Sequence, residues 1–350
     1  MEEAIHPDLS VGVWGHSERP AFADLYAVAG RFISIESTDG ALTELVRRYF
    51  NGWHVNQVAA PGAIQPDARI RITADNNRPQ PPAHLESFEV AEGGVCRTDE
   101  RTYFFESNQS VVRADYDEPP CVEVWVGNEP GDRERTALAR LIFNSAMTAM
   151  RRCGLFELHA AGVVNPDGVG VLIIGPSGSS KSTLAIQMAD AGWQYLSDDS
   201  LLLYREEEVV HARALRRVFA LSDETFSVSG IGRMESLETE TLPFDPLKKR
   251  FEPRSVFPDR FTEVCEPRVL LFSRVTRETE SRTTKLSQGE TMAQLIRMCP
   301  WACYDKPAAQ AHLNVLATLA RQARGYELLA GTDLFGDAEH AANYLRSQTQ

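Results

Sequence analysis

Apolar and polar residues alternate in several short stretches of the first 130 residues, a period-two pattern typical of strands with one buried face. The predicted strands are residues 31–35, 68–73, 102–106, 111–114 and 121–126. Residues 41–50 predict a helix instead, because their apolar positions recur at helical spacing. The pattern therefore predicts a smaller, strand-rich α+β domain over residues 1–130.

A longer helical pattern follows this region. Residues 131–152 carry apolar side chains near one helical face, and Cys153-Gly154 ends the pattern. We expect residues 131–154 to form a helix that bridges the N-terminal domain and a second, larger unit.

Residues 155–350 show the pattern of an α/β unit, in which buried strands alternate with helices. Residues 169–174 are almost entirely apolar, as expected of a strand that is buried on both faces. The other predicted strands are residues 156–164, 193–197, 201–204, 209–215, 269–272 and 326–329. The predicted helices are residues 181–191 and segments near 287–298, 307–324 and 337–347, and residues 222–262 are predicted to be rich in loops.

Composition places the 350-residue chain among ordinary globular proteins, with 43% hydrophobic and 24% charged residues. The net charge is −13 and the pI is about 5.2. An acidic chain offers no general basic face, so nonspecific binding to nucleic acid or to an anionic membrane is excluded from the expected functions. Lysine is scarce, and Lys181 is the first lysine in the chain.

Targeting signals are not predicted. No segment approaches the roughly 20 apolar residues that cross a bilayer, and the first ten residues lack the basic-then-apolar order of a secretory signal. The six cysteines form no CxxC pair and are expected to be reduced thiols. We therefore expect a cytoplasmic protein.

Residues 175–183 read Gly-Pro-Ser-Gly-Ser-Ser-Lys-Ser-Thr and lie between a predicted buried strand and a predicted helix. Successive backbone N–H groups in such a turn form an anion-binding concavity, to which the helix adds the positive end of its dipole. Lys181 would contact the β- and γ-phosphates, and the Ser182 hydroxyl would join a Mg²⁺ shell. The residues expected to bind the nucleotide are Gly175, Ser177, Gly178, Ser179, Ser180, Lys181, Ser182 and Thr183.

One position departs from the phosphate-loop pattern G-x-x-x-x-G-K-[ST], because Ser180 stands where glycine is usual. Serine adopts a positive φ less readily than glycine. Two alternatives are a strand–helix turn without a ligand and a hydrolase whose nucleophile is Ser177, since residues 175–179 nearly match G-x-S-x-G. The hydrolase interpretation leaves Lys181-Ser182 unexplained.

Two adjacent carboxylates, Asp198 and Asp199, end the strand that is predicted after this loop. Beside a bound triphosphate, one carboxylate can hold Mg²⁺ while the other accepts the proton of an attacking hydroxyl. The alternative is a turn or helix cap, where aspartate is common. Their position 17 residues after Lys181 favours the catalytic interpretation. His159, on the strand predicted before the loop strand, is expected near the pair.

Residues 156–204 resemble the catalytic core of the HPr kinase/phosphorylase superfamily, which is related in fold to the ATP-using phosphoenolpyruvate carboxykinases. The resemblance rests on a strand with His159, a hairpin, the G-x-S-G-x-x-K-S motif, a helix followed by Gly192 and a strand that ends in Asp198-Asp199. A looser likeness continues to about residue 330. The resemblance implies a P-loop core of the HPr kinase/carboxykinase type over residues 155–350.

The same resemblance implies roles for individual residues. ATP would be the phosphoryl donor and Mg²⁺ the cofactor, with Ser182 and Asp199 as metal-binding residues. Asp198 would be the general base that activates a serine hydroxyl, oriented through His159. The loop, including Lys181, would hold the phosphates.

The Lys-Arg pair at residues 249–250 belongs to the looser likeness, which implies that Lys249 or Arg250 stabilises charge on the transferred phosphoryl group. Residues 227–236 do not reproduce the segment that supports the phosphorylase activity of bacterial HPr kinases. Residues 1–150 do not resemble the N-terminal domain of those enzymes. The chain looks more like stand-alone homologues, among them the kinases of lasso peptide precursors.

The predicted function is ATP-dependent phosphorylation of a serine on a peptide or protein, such as a ribosomally made peptide of the lasso precursor type. The expected partners are a nucleotide and this acceptor, with no nucleic acid and no membrane, and a homo-oligomer is left open. The alternatives are a kinase of a small-molecule hydroxyl and a regulator that senses nucleotides without transferring phosphate.

Overall fold

The computed structural model describes residues 22–59, 64–74, 78–90, 94–107, 110–115, 120–127, 132–228, 239–242 and 245–348. This part of the chain is a mixed α/β structure, as predicted, and its strands form four sheets. The first ten residues and most of residues 227–236, which carry two of the sequence-based expectations, lie outside the described residues.

Nine strands form the first sheet: β1 (Phe22–Val28), β2 (Arg31–Ser37), β3 (Asn56–Gln57), β4 (Ala68–Ala74), β5 (Glu86–Val90), β6 (Gly94–Thr98), β7 (Thr102–Ser107), β8 (Ser110–Asp115) and β9 (Cys121–Val126). Their order is β3-β1-β2-β4-β9-β8-β7-β6-β5. Neighbours are antiparallel except that β4 is parallel to β2 and to β9. The sequence pattern missed β1, β3, β5 and β6.

Two helices, α1 (Gly40–Asn51) and α2 (Asp132–Arg152), pack with this sheet. The carboxylate of Asp39 caps α1 by accepting a hydrogen bond from the Leu42 N–H at 2.9 Å. Alternate residues of β9, such as Val122 and Val124, share one core with Met147 of α2. The helix predicted over residues 131–154 is therefore present as α2, and its buried apolar side chains, such as Met147, belong to the core of the first sheet.

The remaining strands are β10 (Phe156–Leu158), β11 (Ala160–Val164), β12 (Gly170–Ile174), β13 (Gln194–Ser197), β14 (Leu201–Glu206), β15 (Val209–Ala214), β16 (Phe219–Ser222), β17 (Glu240–Leu242), β18 (Asp245–Phe251), β19 (Val264–Cys265), β20 (Pro267–Val275), β21 (Arg282–Lys285) and β22 (Arg324–Ala330). The remaining helices are α3 (Lys181–Asp190), α4 (Asp223–Val228), α5 (Gln288–Met298), α6 (Trp301–Tyr304), α7 (Lys306–Gln322) and α8 (Ala338–Ser347).

These strands form a six-stranded sheet in the order β13-β11-β12-β20-β22-β21, a four-stranded sheet β10-β14-β15-β19 and a three-stranded sheet β16-β18-β17. In the six-stranded sheet, β12, β20 and β22 are parallel. Because β11 is antiparallel to both β12 and β13, β13 also runs in their direction. The carboxyl ends of β13, β12, β20 and β22 therefore meet at one edge of the sheet, which is where ligands bind in open α/β sheets.

The six-stranded sheet is buried on both faces. Val171 and Ile173 of β12 face a core that contains residues of α3 and α8, whereas Leu172 and Ile174 face a core that contains residues of α5 and α7. This burial on both sides explains the unbroken apolar run in the sequence.

Two predictions from the pattern are corrected here. Residues 156–164 were expected to form one strand, but the chain passes from the four-stranded sheet (β10) to the six-stranded sheet (β11) at His159. Residues 222–262 were expected to be rich in loops, but they contain α4, β17 and β18. β10 pairs with β14 and β18 pairs with β16, and these partners are distant in sequence, so local pattern does not reveal the pairings.

A buried ion-pair cluster joins the end of α2 to the start of α7. The Arg151 Nε donates to Asp305 at 2.6 Å and Arg152 lies 2.7 Å from the same carboxylate. Arg151 also pairs with Glu157 of β10, and the Arg151 and Asp305 side chains have no solvent exposure. The cluster therefore connects the end of α2 to β10 and to the start of α7.

Among the described residues, no helix combines the length and the apolar character needed to cross a membrane.

Candidate functional site

The loop between β12 and α3 has the geometry that the phosphate-loop pattern predicts. Gly175 is the position without room for a side chain, because an added Cβ would lie 2.6 Å from the Ser273 carbonyl oxygen and would also strike Ser179 Oγ. Gly178 has a φ of +78°, which favours glycine. Both glycines are therefore required by the backbone path of the loop.

Ser180 adopts the left-handed conformation, with φ +73°, at the position where the pattern expects glycine. The hydroxyl of the buried Ser273, at the end of β20, donates to the Ser179 carbonyl at 2.8 Å and lies 3.1 Å from Ser180 Oγ. The departure in sequence thus leaves the glycine-like backbone intact, and hydrogen bonds from the neighbouring strand stabilise it.

Lys181 begins α3 and is almost fully buried, at 5% exposure. Its ammonium group donates to the carbonyls of Gly175 at 2.8 Å and Pro176 at 2.9 Å, so it lies across the loop. Burial lowers the pKa of Lys181, whereas the nearby carboxylates of Asp199 and Asp198 raise it. A charge held at this point, with the loop N–H groups and the start of α3, is suited to a polyphosphate.

A cavity of about 690 Å³ opens beside the loop. It is lined by the loop and the first turn of α3, by Asp199, by the segment from β16 to α4, by β18, and by the residues that follow β20 and β22. The lining includes Ser177, Gly178, Ser179, Ser180, Lys181, Ser182 and Thr183. The structure therefore places the predicted loop residues from 177 to 183 at one cavity, with Gly175 buried beneath them.

Asp198 and Asp199 follow β13 at the same edge of the sheet but lie in different environments. Asp198 is 1% exposed, and one of its oxygens accepts from the Ala220 N–H at 3.1 Å while Oδ1 has no hydrogen-bond partner. Burial, together with the charge of Asp199, raises the pKa of Asp198 to about 7, although a hydrogen bond with Ser182 opposes the shift.

Asp199 lines the cavity and is held by two cationic partners. Its carboxylate lies 3.1 Å from His159 Nδ1 and 3.2 Å from an Arg216 guanidinium nitrogen. Burial alone would raise the pKa of Asp199, but the positive charges of His159, Arg216, Lys181 and Lys248 lower it. The pKa values of the two carboxyls are thus shifted in opposite directions, so that Asp198 is the weaker acid and Asp199 the stronger.

His159 lies at the break between β10 and β11, with 42% of its side chain exposed. The expectation that His159 orients Asp198 is wrong, because its imidazole contacts Asp199. Burial, assisted by the charges of Lys181 and Arg216, lowers the pKa of His159, while Asp199 opposes the shift. Because Nδ1 faces Asp199, the other imidazole nitrogen is available to a second group.

Arg216 reaches Asp199 from a short strap, residues 215–217, that is bonded to the α1–β3 loop of the first sheet. The His54 N–H donates to the Leu215 carbonyl at 2.7 Å, and the Arg217 N–H donates to the Gly52 carbonyl at 2.9 Å. The Arg217 guanidinium also donates to the Trp53 carbonyl at 2.6 Å. Residues of the first sheet's unit therefore fix the backbone that carries Arg216, and no local sequence pattern predicts this contact.

The cation that β18 brings to the cavity is Lys248 rather than either predicted residue. Lys248 lines the cavity, and its charge acts on Lys181, His159 and Asp199. Lys249 points to Asp223 instead, with 2.7 Å between Nζ and the carboxylate. Arg250 lies near Tyr49 of α1. Burial raises the pKa of Tyr49, and the charges of Arg216 and Arg250 oppose this shift. Neither Lys249 nor Arg250 lines the cavity.

The hydrolase alternative gains no support from this arrangement. Ser177 is exposed at the cavity, but none of the described histidines is among the residues that line it. Two histidines that follow Ser177 in the chain have other neighbours: His211 stacks on Tyr204, and His312 is buried against Phe156.

Comparisons with known proteins give little beyond this geometry. No protein-family model matches the sequence, and no curated protein matches it. A solved structure that is similar to part of the chain is the HPr(Ser) kinase/phosphatase from Coxiella burnetii, with 16% sequence identity and a TM-score of 0.25. The match covers 37% of this chain and 72% of that chain. The overlap is remote, so the function proposed below rests on the residues of this site.

Proposed function

We propose that the protein is an ATP- and Mg²⁺-dependent kinase that transfers a phosphoryl group to a hydroxyl, with a serine of a peptide or protein as the acceptor. The observation that carries the proposal is the shared cavity. A strand–loop–helix phosphate cradle with a buried lysine lines this cavity together with Asp199, and the adjacent Asp198, whose pKa shifts in the opposite direction, is buried. This combination is suited to phosphoryl transfer, in which catalysis is mostly positioning and neutralisation of charge.

The residues present fit a Mg²⁺ ion on the Asp198 side of the site. Asp198 Oδ1 is buried without a partner, and the Ser182 hydroxyl bonds to the same carboxylate. Mg²⁺ is commonly held by one or two protein oxygens together with substrate phosphates and waters. The described residues form no cluster of three or more acidic, histidine or cysteine ligands. When bound, the ion would neutralise phosphate charge.

The geometry favours an exchange of the roles that the family resemblance implied for the two carboxylates. We assign Asp199 to the acceptor, because it lines the cavity and is fixed by His159 on its partly exposed side. Its low pKa suits a reaction in which the hydroxyl proton leaves late. Asp198, with Ser182, is assigned to the metal side. Lys181 and Lys248 would contact the phosphates from the loop and from β18.

A serine acceptor is supported by the family resemblance of residues 156–204 and by the open side of His159, through which a chain segment has access to Asp199. The test begins with binding of MgATP, measured by calorimetry, for the native protein and for Lys181→Ala. Loss of binding is expected, whereas the exposed Lys285→Ala should bind normally.

Transfer is then measured with radiolabelled ATP and a library of serine peptides, followed by mass spectrometry of the products. Asp199→Asn should retain nucleotide binding and lose transfer by about 10²–10⁴-fold, the usual contribution of a general base. Full transfer by Asp199→Asn would remove it as the base. Label on small alcohols alone would indicate a small-molecule kinase, and binding of MgATP without transfer to any acceptor would indicate a nucleotide-sensing regulator.

A further inference from the structure

The end of the cavity away from the carboxylates is apolar. Val275, which follows Ser273 at the end of β20, lines it with 44% of its surface exposed. Phe335, a few residues beyond the end of β22, lines the same end and is half-buried. An aliphatic and an aromatic side chain left accessible inside a cavity indicate a flat, apolar ligand group.

The order of strands gives this end a direction relative to the phosphate loop. The loop follows β12, and the carboxylates follow β13 on one side of it. On the other side, Val275 is the last residue of β20 and Phe335 follows β22. Strands in a sheet are about 4.8 Å apart, so the loop lies roughly 10 Å from the far strand on either side. The phosphate loop therefore separates the carboxylates from the apolar end.

A nucleotide whose terminal phosphate lies toward Asp199 must direct its base the other way. We propose that the apolar end is the base site and that Val275 and Phe335 hold an adenine ring between them. This inference rests on the proposed function, because it assumes that the loop binds the phosphates of a nucleotide.

Adenine, rather than guanine, fits the polar groups at this end. The hydroxyl residues Thr276 and Thr332 line it, whereas the described lining carboxylates are Asp199 and Glu224, and the segment that leads to Glu224 is bonded to Asp198 through the Ala220 N–H. The nearby Asp333 is occupied, since it accepts from the Ser281 N–H at 3.1 Å and from the Ser281 hydroxyl at 2.5 Å. Guanine presents adjacent N–H donors that would lack an anionic acceptor here.

The experiment compares binding of MgATP and of magnesium tripolyphosphate, which has the phosphates without the base, by calorimetry. The native protein should bind MgATP about ten-fold more tightly than tripolyphosphate, because stacking of a base on apolar rings contributes on this scale. Phe335→Ala and Val275→Ser should each remove most of that preference and leave tripolyphosphate affinity within about two-fold. Ile64→Ser, at another exposed apolar residue, is the matched control.

The retained affinity for tripolyphosphate shows that each variant is folded. If Phe335→Ala and Val275→Ser both bind MgATP as tightly as the native protein, the assignment of the base site is wrong. In that case, loss of binding of MgATP and of tripolyphosphate in Lys181→Ala would still support the phosphate site. If Lys181→Ala binds both ligands normally, the proposed function itself fails. GTP binding as tightly as ATP would overturn the choice of adenine.

A direct measurement is photolabelling with 8-azido-ATP, followed by tryptic digestion. The label should appear on the peptide of residues 325–346, which contains Phe335. Labelling confined to peptides that do not line the apolar end would contradict the proposal.

Discussion

Asp198→Asn should stabilise the fold at neutral and alkaline pH, although it alters the candidate site. The folded protein holds this carboxyl with a pKa of about 7, against an ordinary value of 3.8, because the charged form is buried beside Asp199. A raised pKa means that the folded state binds the proton more tightly than the unfolded state. As far as this group is concerned, the native protein is therefore most stable below about pH 4 and loses stability as the pH rises through about 7. Asp198→Asn cannot ionise at this position and does not undergo that loss.

The magnitude follows from the two pKa values. Their difference, at about 1.4 kcal/mol for each pH unit, amounts to about 4 kcal/mol above pH 8. Between about pH 5 and about pH 8, the native protein should lose about 2–3 kcal/mol relative to a variant that cannot ionise at this position. Asparagine keeps the size of the side chain, so the change with pH isolates the charge.

The assay is urea unfolding of the native protein and of Asp198→Asn at about pH 5 and about pH 8. The free energy of unfolding of the variant, relative to the native protein, should rise by the amount above. Asp199→Asn should instead be less stable than the native protein at both pH values, because its partners lower the pKa of Asp199 and the stabilisation by its charge is lost only below about pH 4. The exposed Asp259→Asn serves as a control for the substitution itself.

A difference between Asp198→Asn and the native protein that stays constant from about pH 5 to about pH 8 would refute the reasoning. That result would mean that Asp198 is ionised throughout and has a partner that compensates its burial. The unpaired Oδ1, and with it the assignment of Asp198 to the metal side, would then lose its basis.

Three further predictions concern the loop and the buried cluster. Gly175→Ala should abolish MgATP binding in calorimetry and cost about 1–3 kcal/mol in urea unfolding, because the new Cβ meets the Ser273 carbonyl; normal binding would show that the loop can shift. Ser180→Gly should keep MgATP affinity and change the free energy of unfolding by less than about 1 kcal/mol. Relief of the positive φ is offset by the greater backbone entropy of glycine in the unfolded chain and by the loss of a hydrogen bond. Ser180→Val should lose MgATP binding. Asp305→Asn should cost about 3–5 kcal/mol in urea unfolding, because the buried Arg151 loses one of its two charged partners and Arg152 loses the same carboxylate, and a cost below about 1 kcal/mol would contradict that role.

The local patterns were sufficient for the α/β class and for the strand–turn–helix geometry of the loop between β12 and α3. The loop was predictable because its chemistry depends on consecutive residues: a buried strand, small residues and Lys181-Ser182 at the start of a helix. The positive φ of Ser180 also follows from the position that it occupies in the pattern. These features need no information about distant parts of the chain.

The surroundings of the carboxylates could not be predicted in the same way. Arg216 reaches Asp199 through a strap that is fixed by residues near 53, about 160 positions earlier in the chain. Lys248 was missed for a different reason. Residues 248–250 were placed in a loop, whereas recognition of β18 would have placed Lys248 and Lys249 on opposite faces.

The family resemblance placed Asp198, Asp199 and His159 in one neighbourhood, and the structure brings them together. It implied that His159 orients Asp198, whereas the imidazole contacts Asp199, because adjacent residues at the end of a strand point in different directions. The assignment of roles therefore required the burial and the hydrogen bonds of each side chain.

The strap of residues 215–217 has a consequence for protein engineering. Its main chain is hydrogen-bonded to residues 52–54, so any rearrangement of that loop is transmitted to the position of Arg216. A chimaera that joins the α/β core to a different front unit would replace the template for this arginine, even if every residue that lines the cavity were retained. The two parts of the chain are consequently not interchangeable cassettes, and recombination designs should carry the α1–β3 loop together with the core.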